Sequence, residues 1–427
     1  MDSQLIVMLA LSVGLILADM YIISGIRGIS KKWKITRSAS FTVAYWIFSF
    51  FLLTGLYCAI FFKLTIGVKG AILMIFFIVW IAKVLFLPFI VVDDVRRYFL
   101  YRARKNNKPE PEFPASQPAP DAIPRSAFLM KAGLVAGALP LASLTFGIIS
   151  GAYDYQIQRR TLYLPNLPKK FDGIKLGQLS DIHSGSFYNK KAVLGGVEML
   201  MREKADFIFF TGDLVNNKSD EMREYQDIFS KVKAPLGVYS SLGNHDYGDY
   251  HIWPSPEAKK KNLDDLKATH KNMGWDLILN SNRRLKVDGE EIGILGVENW
   301  GSMSRFPKYG RVDLALENTD DLPVKLLLSH DPSHWRAQVL NYKQVDMMFS
   351  GHTHGMQFGV KTANFQWSPI QYVYKEWSGF YREGNQQLYV NTGYGFLGYP
   401  GRVGILPEIT IFTLKASADP ALKSKLS

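Results

Sequence analysis

Gly237-Val238-Tyr239-Ser240-Ser241-Leu242-Gly243-Asn244-His245-Asp246 is the stretch around which the chain is organised. The apolar run 237–242 reads as a strand, and its end delivers an amide, an imidazole and a carboxylate to one loop. Alone this is a weak signal, because His and Asp are common in turns and Asn is a poor metal ligand by itself. Four more short motifs strengthen it: Asp181-Ile182-His183, Gly212-Asp213, Ser329-His330-Asp331 and Gly351-His352-Thr353-His354. Each follows an apolar run of strand type, at 174–179, 207–210, 324–328 and 345–349. Five strand ends that all carry oxygen and nitrogen donors predict one convergent polar site.

The order Asp-x-His, Gly-Asp, Gly-Asn-His-Asp, His, Gly-His-x-His resembles the calcineurin-like metallophosphoesterase superfamily, and within it the bacterial membrane-anchored phosphodiesterase branch. The resemblance spans residues 172–414, including Leu388-Tyr389-Val390-Asn391-Thr392-Gly393 and Pro407-Glu408-Ile409. It implies an α/β sandwich of two mixed β-sheets flanked by helices. Carboxylate, imidazole and amide donors without thiolate suit Mn, Fe or Zn. Two divalent metal ions held close together need a bridging ligand, and a carboxylate has two oxygens for it. By resemblance Asp213 is that bridge. Asp181, His183 and His354 complete one metal; Asn244, His330 and His352 complete the other.

The chemistry implied is hydrolysis of a phosphate ester or pyrophosphate by a metal-bridging hydroxide attacking phosphorus in line. His245 then faces the phosphoryl group as charge stabiliser or proton donor. Asp246 either fixes the His245 tautomer or caps a turn. Asp331 is expected to orient backbone, and His251, His270 and His334 are expected at the surface. Met356 stands where relatives usually have a second Gly, and Glu298-Asn299 where many have Asp-Asp. Either departure is expected to reshape the substrate pocket.

Composition divides the chain. Of the formal net charge of +12, +9 falls within residues 1–131, so the basic character belongs to the first part and does not suggest a nucleic-acid groove. All eight histidines lie beyond residue 180, and the single cysteine, Cys58, excludes intramolecular disulfides and a Cys-rich zinc site. Runs 5–23, 41–62 and 70–92 are apolar and long enough to cross a bilayer, which needs about 20 residues. Lys and Arg crowd the loops after the first and third, which places those loops in the cytoplasm and the N-terminus outside. Asp19 and Lys83 lie within these runs, where they are expected to pair or to snorkel to the interface. Pro88 is expected to kink the third helix without breaking it.

Residues 106–127 read as a proline-rich linker and 128–150 as a fourth membrane helix. Pro124-Arg125-Ser126 resembles a twin-arginine signal with Ser126 in place of the second Arg. The expected organisation is a three-helix membrane region at 1–105, the linker, the fourth helix, and a catalytic domain at 151–427. That domain is expected on the outer, periplasmic side of a bacterial inner membrane. Helices are expected at 191–204, 219–231 and 257–273, and strands at 277–279, 285–287, 292–296, 387–390 and 409–414. The aromatic-rich segment 365–381 reads either as packing for a hairpin or as a lipid-facing rim. Lys259, Lys260 and Lys261 are expected to favour anionic lipid. Membrane lipids are thus the expected partners, with a phospholipid or lipid-linked substrate. A soluble phosphodiester is the alternative, and a non-catalytic scaffold the alternative of another class.

Overall fold

The computed structural model describes residues 3–28, 34–62, 64, 66–106, 125–362 and 364–417. Two compact units divide the chain, Met1–Thr145 and Phe146–Ser427. Most of the expected linker lies outside the described residues.

Four long helices come first: α1 (Ser3–Gly28), α2 (Ala39–Phe61), α3 (Ile66–Asn106) and α4 (Arg125–Ile149). Each contains a segment long and apolar enough to cross a membrane: Ile6–Arg27, Ala39–Phe61, Val68–Ala103 and Ala127–Ile149. Ser38 starts α2 by accepting a hydrogen bond from the Phe41 amide at 3.1 Å. Apolar side chains such as Val7, Phe51 and Phe77 point outward, as a lipid-facing surface requires. Asp19 and Lys83 do pair, at 2.7 Å. Tyr45 donates to Asp19 and Lys83 donates to Ser49 at 3.2 Å, so the buried charges join three helices. α3 runs through Pro88 and continues well past the expected end at residue 92. Charge does not stop it because Asp93 pairs with Arg96 at 3.0 Å and with Arg97 at 2.8 Å along the same helix.

The second unit carries the strands β1 (Gln156–Tyr163), β2 (Lys175–Leu179), β3 (Phe207–Phe210), β4 (Val238–Ser240), β5 (Asp276–Leu277), β6 (Ser281–Val287), β7 (Glu290–Gly296), β8 (Lys325–Leu328), β9 (Met347–Ser350), β10 (Val360–Lys361), β11 (Gln366–Trp367), β12 (Gly379–Glu383), β13 (Gln386–Val390) and β14 (Glu408–Lys415). One sheet has the order β1-β14-β2-β3-β4-β5, the other β12-β13-β9-β8-β7-β6, and β10 and β11 form a small hairpin. β2 to β5 are parallel, as are β7, β8, β9 and β13, so two sets of strands end in the same sense within each sheet.

Side-chain alternation builds the layers. Phe207 and Phe209 of β3, Leu326 and Leu328 of β8, and Met347 and Phe349 of β9 share the core between the sheets. Their neighbours turn outward: Ile208 and Phe210 to one outer core, Leu327 and Met348 to the other. Helix α5 (Lys190–Arg202) covers the first sheet with Val193, Gly196, Val197 and Leu200, a one-face spacing. This is the expected sandwich.

Three local expectations need correction. Residues 219–231 form a 3-10 turn, Ser219–Glu224, and a single helical turn, α6 (Gln226–Phe229), instead of one helix. The Glu221 carboxylate explains this: it accepts the amides of Asn216, Asn217 and Lys218 and so ties the segment to the loop after Asp213. His270 and His334 are buried rather than at the surface. His270 sits on the inner face of α7 (Pro256–Asn272), with Nδ1 3.0 Å from the Ser240 hydroxyl. His334 stacks on Trp300 between Ser329 and Gln338. Burial pushes their pKa values down to about 3 and about 4. Finally, Lys259, Lys260 and Lys261 pair with Asp249, Asp264 and Asp265, which neutralises the expected basic patch.

Candidate metal centre

Asp181 and His183 follow β2, Asp213 follows β3, and Asn244 and His245 follow β4; His330 follows β8, and His352 and His354 follow β9. They all lie beyond the carboxyl ends of parallel strands, the usual place for a site in an α/β sheet. The backbone there is strained. Asp181, His183, Asp213, His352 and His354 have φ of 53°, 49°, 60°, 73° and 50°, a left-handed region that non-glycine residues seldom occupy. Such strain persists where surrounding bonds fix it, and it clusters at functional sites. Here the amide of Asp181 donates to Gly212 O at 2.9 Å and that of His183 to Asp213 O at 3.1 Å. Gly212 (φ 95°) supplies the turn before Asp213. Gly351 serves differently, for a Cβ there would overlap Ser180 and the Asp181 carboxylate.

The side chains converge in two buried clusters that could each hold a metal ion: Asp181, His183 and His354, and Asp213, His330 and His352. Within each, the donor atoms lie within 4.8 Å of one another. Asp213 reaches both, its Oδ2 being 3.4 Å from His183 Nε2 and 3.1 Å from His330 Nε2. His354 Nε2 is 3.2 Å from Asp181 Oδ1. Three imidazoles are oriented from behind. His183 Nδ1 lies 3.1 Å from Asn216 Oδ1, and His330 Nδ1 lies 2.7 Å from the Thr211 carbonyl. His352 Nε2 lies 2.7 Å from the Tyr374 hydroxyl, which turns Nδ1 toward Asn244 Oδ1 at 2.8 Å. His354 differs, since its Nδ1 faces the buried Arg402 guanidinium, which only donates.

This arrangement fits a pair of cations. His183, His330 and His354 each aim a buried Nε2 at carboxylate oxygens without hydrogen-bond geometry or any other partner. A buried polar atom left so is costly, and a cation shared between nitrogen and oxygen donors satisfies it. Electrostatics point the same way. Burial lowers the His330 pKa, but the Asp213 and Asp181 carboxylates overcome it and push it up to about 10. Burial likewise raises both carboxylates, and the facing histidines outweigh it and hold them below the usual range. The site therefore demands positive charge at its centre.

His245 and Asp246 occupy different places. The His245 amide donates to Asp213 Oδ1 at 2.8 Å, and its Nδ1 lies 2.8 Å from the Asn216 carbonyl, which leaves Nε2 free. Asp246 therefore does not set that tautomer. Its carboxylate accepts the amides of Asp213, Leu214, Val215 and Gly243 at 2.9, 2.8, 3.3 and 2.8 Å. It is the clamp of two ligand loops, the turn-capping reading of the two. Asp331 likewise orients backbone, accepting the Ser333 amide at 2.8 Å.

A family model described as "Calcineurin-like phosphoesterase" matches residues 174–356, and one described as "Probable Calcineurin-like phosphoesterase, transmembrane domain" matches residues 3–152. Together they cover more than half of the chain. The chain belongs to the calcineurin-like metallophosphoesterase superfamily. It is similar to "Uncharacterized metallophosphoesterase YkuE" of Bacillus subtilis, 29% identical over 66% of this chain and 95% of that one. It is also similar to "Transmembrane protein with metallophosphoesterase domain" of Danio rerio, 26% identical over 63% of this chain. It spans 60% of the length of that relative. A solved structure, TT1561 of Thermus thermophilus, aligns over 54% of this chain and 90% of that one with a TM-score of 0.33 and 14% identity.

In this metallophosphoesterase the clusters open into a cavity of about 280 Å³, which His245 also lines. Sequence reasoning missed several of its walls: Tyr250, Arg305, Phe306, Ile370, Tyr374 and Leu397. None sits in a motif, and loop packing alone brings them there. Asn216 was the more findable omission, only three residues past Asp213. The two departures from the family pattern do not line the cavity. Met356 is half exposed with φ 55°, a conformation that explains why glycine is usual there. Glu298 accepts from Asn280 at 2.8 Å, and the Asn299 amide donates to Tyr247 at 3.2 Å, so this pair braces loops. The aromatic segment follows the packing reading in part. Tyr374 and Trp377 pack with Ile405 in a small core, while Phe365 and Tyr372 are exposed.

Proposed function

We propose that this protein is a membrane-anchored, dinuclear-metal-dependent phosphoesterase, a phosphodiesterase or pyrophosphatase, acting on phospholipid or lipid-linked phosphate. The observation that carries the enzymatic reading is the pair of His/Asp clusters facing one cavity, with three imidazole nitrogens left for a cation. Asp181, His183 and His354 would hold one metal, and Asn244, His330 and His352 the other, with Asp213 shared. When bound, such a pair supplies a nucleophile at neutral pH and neutralises phosphoryl charge. The chain's own side chains do the rest. Asp246 holds the loops of Asp213 and Asn244 in place, and Asn216 O fixes the proton of His245 on Nδ1. His245 Nε2 is then free to take up a proton, and the imidazolium so formed can pass it to the leaving oxygen.

The lipid reading is supported by chain connectivity inside the second unit. The last turn of α4, 146–149, belongs to that unit. There the Arg402 amide donates to Gly147 O at 3.1 Å, at the end of the fourth candidate span. Gln357, three residues past His354, holds the same loop through the Leu397 amide at 2.6 Å and the Tyr399 and Gly401 carbonyls at 2.7 and 2.9 Å. Leu397 lines the cavity. The fourth candidate span runs directly into this unit, and such tethering raises the effective concentration toward head groups. The Lys and Arg bias of the loops further supports an external catalytic unit on a bacterial inner membrane.

The test uses the full chain, loaded with Mn²⁺ and reconstituted in vesicles. Phosphatidylglycerol should be cleaved faster than the soluble diester bis(p-nitrophenyl) phosphate at equal concentration. A much faster soluble reaction would favour the alternative of a general phosphodiesterase. No cleavage of either, with both metals bound, would favour a scaffold. A C-terminal tag labelled only after the inner membrane is made permeable would reverse the orientation.

A further inference from the structure

Arg305 is the cationic side chain among the cavity walls that neither histidine chemistry nor any carboxylate accounts for. It sits on the loop 301–307, which Ser333 pins by accepting the Ser302 amide at 2.9 Å. The loop is closed by its own bonds, Gly301 N to Pro307 O at 3.3 Å and Phe306 N to Met303 O at 3.1 Å. The next residue, Phe306, is buried and packs edge-on against the candidate ligand His352, ring centroids 4.9 Å apart. That wedge sets Arg305 at the cavity mouth, where its guanidinium lies 4.7 Å from the Phe306 ring and is itself exposed. Among the described residues no carboxylate pairs with it, whereas the exposed Arg159, Arg202, Arg284, Arg311 and Arg336 of this unit each do pair.

Its surroundings suit an anion. Tyr250 and Tyr374 line the same cavity as Arg305, and the hydroxyl of each touches a candidate ligand residue, Asn244 at 3.0 Å and His352 at 2.7 Å. A row of donors therefore runs from the metal clusters to the arginine. The histidine and carboxylate clusters at the floor would, with their metals bound, serve one phosphoryl group, so an unpaired guanidinium further out has charge for another. Phe306, Ile370 and Leu397 add an apolar wall beside it.

We propose that Arg305 is the specificity-determining residue for a second, non-reacting phosphoryl group, which makes the preferred substrate a lipid-linked diphosphate diester instead of a simple phosphodiester. This rests on the phosphoesterase reading above and narrows its substrate class. In the reaction the oxygen of water bonds to the phosphorus over the clusters, and the bond between that phosphorus and the bridging oxygen breaks, the bridging oxygen staying on the second phosphorus. The two phosphate monoesters that result carry the two protons of the water between them. Arg305 holds the second phosphoryl group, which departs as the leaving monoester.

The experiment compares the full chain with Arg305→Ala and Arg305→Lys, each Mn²⁺-loaded in vesicles, on cytidine diphosphate diacylglycerol, phosphatidylglycerol and bis(p-nitrophenyl) phosphate. Loss of a charge-assisted pair should lower kcat/KM of Arg305→Ala on the diphosphate by roughly 10- to 100-fold. The two single-phosphate substrates should change by less than about 3-fold, with Arg305→Lys recovering part of the loss. An activity-independent readout accompanies this. By calorimetry, methylenediphosphonate should bind Arg305→Ala more weakly by a similar factor, while inorganic phosphate binds equally and the metal content by elemental analysis is unchanged. An equal loss on all three substrates, or no loss on any, would overturn the role of Arg305 while leaving the phosphoesterase reading intact. A wild-type chain that holds its metals and cleaves none of the three would instead overturn that reading and this inference with it.

Discussion

Asp246→Asn isolates the scaffold of the candidate centre from its donors, because the substitution changes no proposed ligand and almost no volume. In the native loop Oδ2 accepts the amides of Asp213 and Gly243, and Oδ1 those of Leu214 and Val215. An asparagine offers one oxygen, so in either orientation its NH₂ group faces two backbone N–H donors. Two buried donors then lose their acceptor at about 1–3 kcal/mol each, or about 2–6 kcal/mol in total. At roughly 2–4 °C per kcal/mol for a large domain, the thermal midpoint of the catalytic unit should fall by about 5–20 °C. Because both released loops carry candidate ligands, Asp213 and Asn244, the variant should also lose bound metal. The assay is thermal unfolding of the detergent-solubilised chain, followed in parallel with elemental analysis. A midpoint within about 1 °C of wild type, with full metal content, would refute the clamp.

Three further outcomes follow from the same structure. His245→Asn should keep both metals and the wild-type thermal midpoint yet lose about 10²-fold in kcat, the scale of a positioned acid; unchanged turnover on a substrate with a poor leaving group would remove that role. His270 is held neutral by burial, its pKa pushed down to about 3, while in the unfolded chain it titrates near 6.5. Its contribution is therefore whole above about pH 6.5 and lost progressively below, by about 2 kcal/mol at pH 5. The thermal midpoint of His270→Gln should accordingly drop less than that of wild type between pH 7.5 and pH 5, and an equal drop would contradict the assignment. Lys83→Met strands the buried Asp19 carboxylate and should destabilise the helical unit by about 3–5 kcal/mol, whereas adding Asp19→Asn should restore most of it. A single variant as stable as wild type would show that the pair is solvated.

The legible part of this molecule was the part written in short local patterns. An apolar run followed by Asp-x-His or Gly-His-x-His places a donor at a strand end, and the order of those motifs carries the resemblance that implied the seven proposed ligands and the sandwich that gathers them. Membrane-spanning length was legible for the same reason, whereas the pairing of Asp19 with Lys83 was one of two readings left open and is decided by the structure. Three kinds of feature were not legible. Segment 219–231 has helical spacing, but Glu221 is drawn to three loop amides, and periodicity does not encode that competition. His270 and His334 are polar types whose burial depends on partners far away in sequence, Ser240 and Trp300. The cavity walls Arg305, Tyr250 and Leu397 come from loops with no period at all. Asp246 falls between: its importance showed in the motif, but whether it served the imidazole or the backbone depended on geometry.

The central claim is that two cations sit between the ends of the two sheets with Asp213 shared between them. Elemental analysis of the desalted full-length chain after Mn²⁺ loading tests it most directly, with Asp213→Asn measured alongside. The wild-type chain should hold two divalent ions, and the variant should lose at least one. Fewer than two ions in the wild type, or two retained in Asp213→Asn with undiminished turnover, would contradict it.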